Sequence, residues 1–287
     1  MKIAIVGHSG YIGKYLVKYF ERDAEVKSIF RLGRSANSDR FLDLSEAENF
    51  DYSALDEIDY VILTSAISSP DQCASDFEGC WKINVTGTEY FIRRAIECHC
   101  RVLFFSSDAV FGDISGAIYD EWSETAATTP YGQMKKKIED IFKEDSSFKA
   151  IRLSYVVSGN DKFVSYCLNC IQRGEKADIF HPFYRNCITV NNVVDAVDWL
   201  IKNWDVYSPF VLNVAGKELV SRVRIADEIN RYLDGALHYT ITHPGGAFYR
   251  NRPAITQMRS LYLTKRNILP DVTFTEMIQN VLEELKK

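Results

Sequence analysis

Three glycines at a constant three-residue spacing, Gly7, Gly10 and Gly13, stand near the start of the chain. They lie directly between the apolar run Ile3–Val6 and a segment with helical periodicity. That context restricts the fold more than any other feature of the sequence. The first glycine of such a turn permits a tight reversal, and the second lets backbone approach a pyrophosphate. The third lets the helix pack closely on the strand. Amides left free at the helix N-terminus then hold phosphate charge. Gly7, Ser9, Gly10, Tyr11, Ile12 and Gly13 are therefore expected to cradle a nicotinamide dinucleotide. A glycine-rich turn that binds nothing is the competing reading. His8 is read as a loop side chain and not as a catalyst.

A strand, a glycine turn and a helix open a βαβ unit, and the first half of the chain repeats that rhythm. Strands are expected at 3–6, 26–30, 60–64, 101–106 and 150–155, with helices at about 11–22 and 77–97. Thr129 and Pro130 mark the start of a further helix as its cap and first residue. Met134, Ile138, Ile141 and Phe142 share one face of it. Beyond Tyr155 the strands shorten and helices dominate, at about 161–172, 192–203, 221–233 and 273–285. His238–Arg252, with paired glycines, Pro244 inside it and Pro253 directly after it, reads as loop. The fold class is α/β: a Rossmann-type doubly wound parallel sheet with a smaller, mainly helical C-terminal substrate lobe. The division expected is 1–155 for nucleotide binding and 156–287 for substrate, partly interleaved.

The chain has 287 residues, a formal charge of −5 and a pI near 5.6, so it lacks the basic footprint of a nucleic-acid binder. No apolar run approaches the ~20 residues that span a bilayer. Met1-Lys2 leads straight into Ile-Ala-Ile-Val, too short a run for a signal-peptide core, so export is not expected. Seven cysteines include the pairs Cys98/Cys100 and Cys167/Cys170. Neither pair has a matching second half for a tetrahedral metal site, so buried thiols are expected, with no metal. A reducing, cytoplasmic setting follows from that reading.

NAD-specific loops place an acid at the end of the second strand for the ribose hydroxyls. Here that place reads Phe30-Arg31-Leu32-Gly33-Arg34. Arg31 and Arg34 suit a 2′-phosphate, which favours NADP(H) over NAD(H); surface arginines without a role are the alternative. Tyr131 and Lys135 stand at i and i+4 on the capped helix, so they project from one face. They follow Ser106-Ser107-Asp108-Ala109-Val110-Phe111 at the end of a strand, the side on which open α/β sheets place ligands. Reducing a ketone requires hydride on carbon and a proton on oxygen. A lysine ammonium beside a phenol favours phenolate and brings its acidity toward working pH. Tyr131 is the expected proton donor, tuned by Lys135, with Ser107 donating to the carbonyl oxygen.

With these motifs the chain resembles the extended short-chain dehydrogenase/reductases, the NAD-dependent epimerase/dehydratase family. The likeness rests on the GxxGxxG loop, Tyr131-Gly-x-x-Lys135 and Asn84-Val85-Thr86-Gly87-Thr88. In the second half it rests on Arg185-Asn186-Cys187-Ile188-Thr189-Val190, Asn213-Val214-Ala215-Gly216 and Arg252-Pro253. Within that family it is most similar to the dTDP-4-dehydrorhamnose reductases, which read Ser-Thr-Asp-x-Val-Phe at 106–111. The resemblance implies that Asp43 and Leu44 meet adenine and that Thr64, Ser65 and Ala66 pass beside the cofactor phosphates and ribose. It implies that Lys135 also holds the nicotinamide ribose, that Asp108 belongs to the reductase pattern, and that Arg185 and Arg252 take the substrate diphosphate. Each arginine has the alternative of a surface ion pair, Asp43 that of an ordinary strand-end acid, and Tyr131 and Ser107 those of packing and turn capping.

Family dehydratases carry Thr-Asp-Glu where Ala109 stands here, which removes their base. A reductase of a nucleotide-activated 4-keto sugar is the leading expectation, and a nucleotide-sugar 4-epimerase the second. A non-catalytic NADP-binding regulatory subunit, as in the β subunit of methionine adenosyltransferase, is a third; retention of Tyr131 and Lys135 weighs against it. A non-sugar ketone and a homodimer both remain open from the sequence.

Overall fold

A computed structural model describes residues 1–284. Contacts divide the chain into two compact units that interleave along the sequence. The first takes 1–112, 124–152 and 197–212, and the second takes 113–123, 153–196 and 213 onward.

The first unit is built on a sheet of seven strands: β1 (Lys2–Val6), β2 (Ser28–Gly33), β3 (Arg40–Phe41), β4 (Tyr60–Leu63), β5 (Arg101–Ser107), β6 (Phe148–Leu153) and β7 (Val211–Val214). Their order is β7-β6-β5-β4-β1-β2-β3. β1 pairs in parallel with β2 and β4, β4 with β5, and β2 with β3. The chain therefore winds outward from β1 in both directions, the doubly wound order, and its switch point lies beside β1. Ile3, Ala4, Ile5, Val61, Ile62, Leu63, Val102 and Leu103 are fully buried, as expected of parallel strands covered on both faces.

The helices that cover the sheet begin with α1 (Gly13–Phe20), α2 (Thr88–Glu97) and α3 (Pro130–Phe142). The single helix expected over 77–97 is interrupted. A short helix at Phe77–Trp81 passes into a π-helical turn at Lys82–Gly87 before α2 starts. The wide turn has a packing cause: a Cβ on Gly87 would stand 1.6 Å from the carbonyl oxygen of Leu44. A run with sound helical periodicity gives no hint of a backbone approach from a segment forty residues away.

The second unit carries α4 (Lys162–Arg173), α6 (Arg222–Tyr232), α7 (Phe274–Glu284) and the first part of α5 (Val190–Lys202), with short strands between them. The segment 238–252 is not wholly loop. Tyr239–Thr242 pairs in parallel with Ala177–Phe180, and Gly246–Tyr249 forms a helical turn. The β-branched run Thr240-Ile241-Thr242 supplies the strand that the neighbouring glycines and prolines concealed. All seven cysteines are free and six are buried. No helix among the described residues is long and apolar enough to cross a membrane.

Candidate active site

The glycine turn follows β1 directly. Gly7 lies in the left-handed region at φ +84°, a conformation that favours glycine. Its amide donates to the Leu32 carbonyl at 2.9 Å, and Gly10 N–H closes the turn on the Gly7 carbonyl at 2.9 Å. A Cβ on Gly13 would stand 2.2 Å from that same oxygen, so α1 can enter this close only with glycine there. Ser9 and Gly10 are exposed, Tyr11 and Ile12 half-buried, and Ile12 caps α1 without a side-chain bond. Gly7 and Gly13 thus let the chain turn tightly enough for α1 to start directly behind β1.

Thr64, at the end of β4, donates its hydroxyl to the Val6 carbonyl at 2.8 Å, and a Cβ on Gly7 would meet Ser65 N at 3.0 Å. Thr64-Ser65-Ala66 therefore borders the glycine turn. Sequence reasoning left Asn84 without a role. Its side chain accepts from Ile67 N–H at 2.8 Å and donates to the Ile67 carbonyl at 2.9 Å. It pins the strand exit just beyond Ala66, and the π-turn is what brings it there.

At the tip of β2, Arg31 is held by Glu21 at 2.5 Å and Asp39 at 3.6 Å. Arg34 is well exposed, with only Asp43 at 3.7 Å. Asp43 caps the 3-10 turn Leu44–Asn49 through Ser45 N–H, and that bond chiefly lowers its pKa. Leu44 is buried. His8 is buried as well, with Nε2 2.9 Å from Ser38 Oγ, and burial lowers its pKa.

Ser107 closes β5 and caps the turn Asp108–Val110, its Oγ accepting from Ala109 N–H at 3.2 Å and donating to Asp108 at 3.1 Å. Thr129 caps α3 by accepting from Gly132 N–H at 3.3 Å, and Pro130 is its first residue. The glycine after Tyr131 joins these two pieces, because a Cβ on Gly132 would lie 2.0 Å from the Ala109 carbonyl oxygen. The Ser107 turn and the first turn of α3 are thereby in direct backbone contact. Tyr131 is half-buried, and its hydroxyl makes no hydrogen bond to any described residue.

Lys135 is 3% exposed and donates to the Phe105 carbonyl at 2.7 Å, with the Phe104 ring 4.4 Å away. Burial brings its pKa down to about 7, against an opposing pull from Glu139. Burial raises the Tyr131 pKa, and the charges of Cys73 and Asp108 add to the rise. The expected lowering of Tyr131 by a lysine ammonium is not what this arrangement produces. Lys135 points to β5, and its desolvated amine does not offset the burial of the phenol. Below Lys135, Glu139 is paired with Arg152 at 2.6 Å and accepts from Ser106 Oγ at 2.5 Å, all of them buried.

In the second unit, Arg185 is buried and donates to the carbonyls of Tyr184 at 2.6 Å and Pro253 at 2.8 Å. Arg252 is half-buried, its guanidinium 4.6 Å from the Phe248 ring centre.

The fold is shared with solved structures across the full chain. A dTDP-4-dehydrorhamnose reductase from Clostridium acetobutylicum is 19% identical, with 100% of both chains covered and a TM-score of 0.83. The enzyme of that name from Bacillus anthracis, in complex with NADP, is 18% identical over 99% of this chain and 98% of its own, at 0.81. A Thermus thermophilus UDP-glucose 4-epimerase in complex with NAD is 16% identical over 100% and 99%, at 0.79. At these identities the likeness concerns the fold. No curated protein matches the sequence. The family model of the NAD dependent epimerase/dehydratase family matches residues 3–215. The chain belongs to that family, and with it to the NAD(P)-dependent enzymes of oxidoreductase type.

Proposed function

We propose that this protein is an NADP(H)-dependent reductase of a nucleotide-activated 4-keto sugar. The observation that carries the reading is the unbonded hydroxyl of Tyr131, on a helix turn held against the Ser107 turn by Gly132. A reduction needs a proton donor that is protonated before the reaction, and the raised pKa of Tyr131 keeps the phenol in that form. Ser107 Oγ–H, which donates to Asp108 in this structure, would turn to the carbonyl oxygen and stabilise the charge developing there. The glycine turn, Thr64-Ser65-Ala66 and the Asp43-Leu44 segment fit a dinucleotide, which supplies the hydride when bound. Lys135, on the same helix face as Tyr131, holds its ribose side. Arg34, exposed and loosely paired, is better placed than Arg31 to take a 2′-phosphate, since Arg31 is engaged by two carboxylates.

Ala109 offers no side-chain base in the Ser107 turn, which supports reduction over dehydration. The solved structures of like fold include one with NADP and one with NAD, so fold alone does not choose the cofactor.

The test is NADPH consumption with nucleotide-linked 4-keto sugars. Wild type is expected to turn over at least one of them, and Tyr131→Phe to lose 10²-fold or more, about the contribution of a positioned acid. Full activity in Tyr131→Phe overturns the proton donor. An NADH preference that survives Arg31→Ala and Arg34→Ala overturns the cofactor assignment. Tight cofactor binding with no turnover of any keto sugar would favour the regulatory-subunit reading.

A further inference from the structure

Arg222 opens α6 in the second unit and is half-buried. Its guanidinium stacks between two rings, 4.6 Å from the Phe183 centre and 5.2 Å from that of Phe163. No hydrogen bond or ion pair from its side chain reaches any described residue, and its Nε–H is buried without an acceptor. By contrast, Arg31 and Arg152 end on carboxylates, and Lys135 and Arg185 on backbone carbonyls.

The carboxylate closest in influence, Asp161, is fully used elsewhere. It caps α4 by accepting from Phe163 N–H at 2.7 Å and Val164 N–H at 3.1 Å, and it also accepts from Ser158 N–H at 3.2 Å and Tyr155 Oη at 2.9 Å. The guanidinium of Arg252 adds a second positive charge, and together with burial it lowers the Arg222 pKa. A desolvated cation beside a like charge is unfavourable by itself and becomes favourable when an anion arrives. The rings fix the plane of the guanidinium, so its donors are set for a tetrahedral oxyanion at little entropic cost. The positive end of α6 adds to the same field.

We propose that Arg222 is an oxyanion-binding residue of the second unit, its guanidinium receiving a phosphoryl group of the nucleoside diphosphate carried by the substrate. This rests on the nucleotide-sugar reading above and adds to it a residue outside the Arg185 and Arg252 segments. Arg185 is largely committed to backbone carbonyls, whereas the Arg222 guanidinium has donors to spare.

The experiment is calorimetric titration of dTDP, UDP and inorganic pyrophosphate into wild type, Arg222→Met and Arg222→Lys, with NADPH as a control ligand. Arg222→Met keeps an apolar stem between Phe163 and Phe183. It is expected to weaken all three phosphate ligands tenfold or more, which is ~1.4 kcal/mol. Arg222→Lys, which keeps the charge and loses the fork, is expected to lie between, and NADPH affinity to stay unchanged in both. Wild-type affinity in Arg222→Met overturns the assignment, as does failure of wild type to bind any of the three at millimolar concentration. A lowered melting temperature with unchanged pyrophosphate affinity would mean that Arg222 is a packing residue only, and this also overturns it. If Arg222→Met does not fold, Arg222→Lys decides by the same criterion. Arg222-dependent pyrophosphate binding without turnover of any keto sugar would sink the reductase reading and leave this inference standing.

Discussion

Lys135 shows what residue spacing reveals and what it conceals. Its pairing with Tyr131 at i and i+4 is a property of helical geometry and is legible in the sequence. Its partner, the Phe105 carbonyl, is a backbone group on another element, and no pattern of residue types announces it. The consequence is an amine whose pKa falls from 10.5 to about 7 when the chain folds. Between those two values the unfolded chain holds a proton that the folded chain has released. Linkage then makes stability rise with pH from about 7 to 10, while below 7 the full cost of a buried ammonium is present. Lys149, also lowered by burial, adds a rise of the same sign, so the contribution of Lys135 must be read as a difference. Urea unfolding at pH 6.0 and 8.5 should show Lys135→Met gaining on wild type at the lower pH, with the gain shrinking at the higher. A difference that is the same at both values would remove the depressed lysine from the account.

At the scale of elements, the strands, the capped helix α3 and the glycine turn follow from local chemistry and were readable. What joins them is less readable, because it depends on places where backbone meets backbone. Gly132 sits in Tyr131-Gly132-Gln133 with ordinary helical geometry, and only the fold shows the Ala109 carbonyl against it. Gly87 and the π-turn that delivers Asn84 to Ile67 have the same origin. Gly132→Ala tests the junction. Helix propensity alone favours alanine by ~1 kcal/mol. A Cβ 2.0 Å from a carbonyl oxygen must instead push α3 away from the Ser107 turn. Overpacking of this kind costs ~1–3 kcal/mol. A displacement near 1 Å between Ser107 and Tyr131 costs on the order of 10²-fold in rate. Gly132→Ala is therefore expected to lose activity out of proportion to stability, with cofactor affinity nearly intact. A more stable and fully active variant would show that the contact positions nothing.

For the whole molecule, composition and apolar periodicity suffice to indicate an α/β core, since that core is held by the bulk property of apolar burial. The buried charge network beside α3 is different. Nothing in the spacing of Glu139 on α3, Arg152 on β6 and Ser106 on β5 announces that they meet, yet the ion pair is 3% exposed on each side. Their burial ties a helix to two strands beneath the proposed active site. Such a pair is weak evidence of stabilisation, because desolvating both charges offsets most of their attraction. Removing one partner is a different matter, for it strands the other charge in the core. Glu139→Leu should cost ~3–5 kcal/mol, and Arg152→Met a similar amount. The double variant Glu139→Leu/Arg152→Met should recover most of that loss in urea unfolding, since two apolar side chains then fill the space without any unpaired charge. Arg152 Nη1 already lacks a hydrogen-bond partner within the core, which favours recovery. Additive losses in the double variant would mean that the pair is held by its separate bonds to Ser106 and the Phe111 ring, and not by the attraction between the two charges.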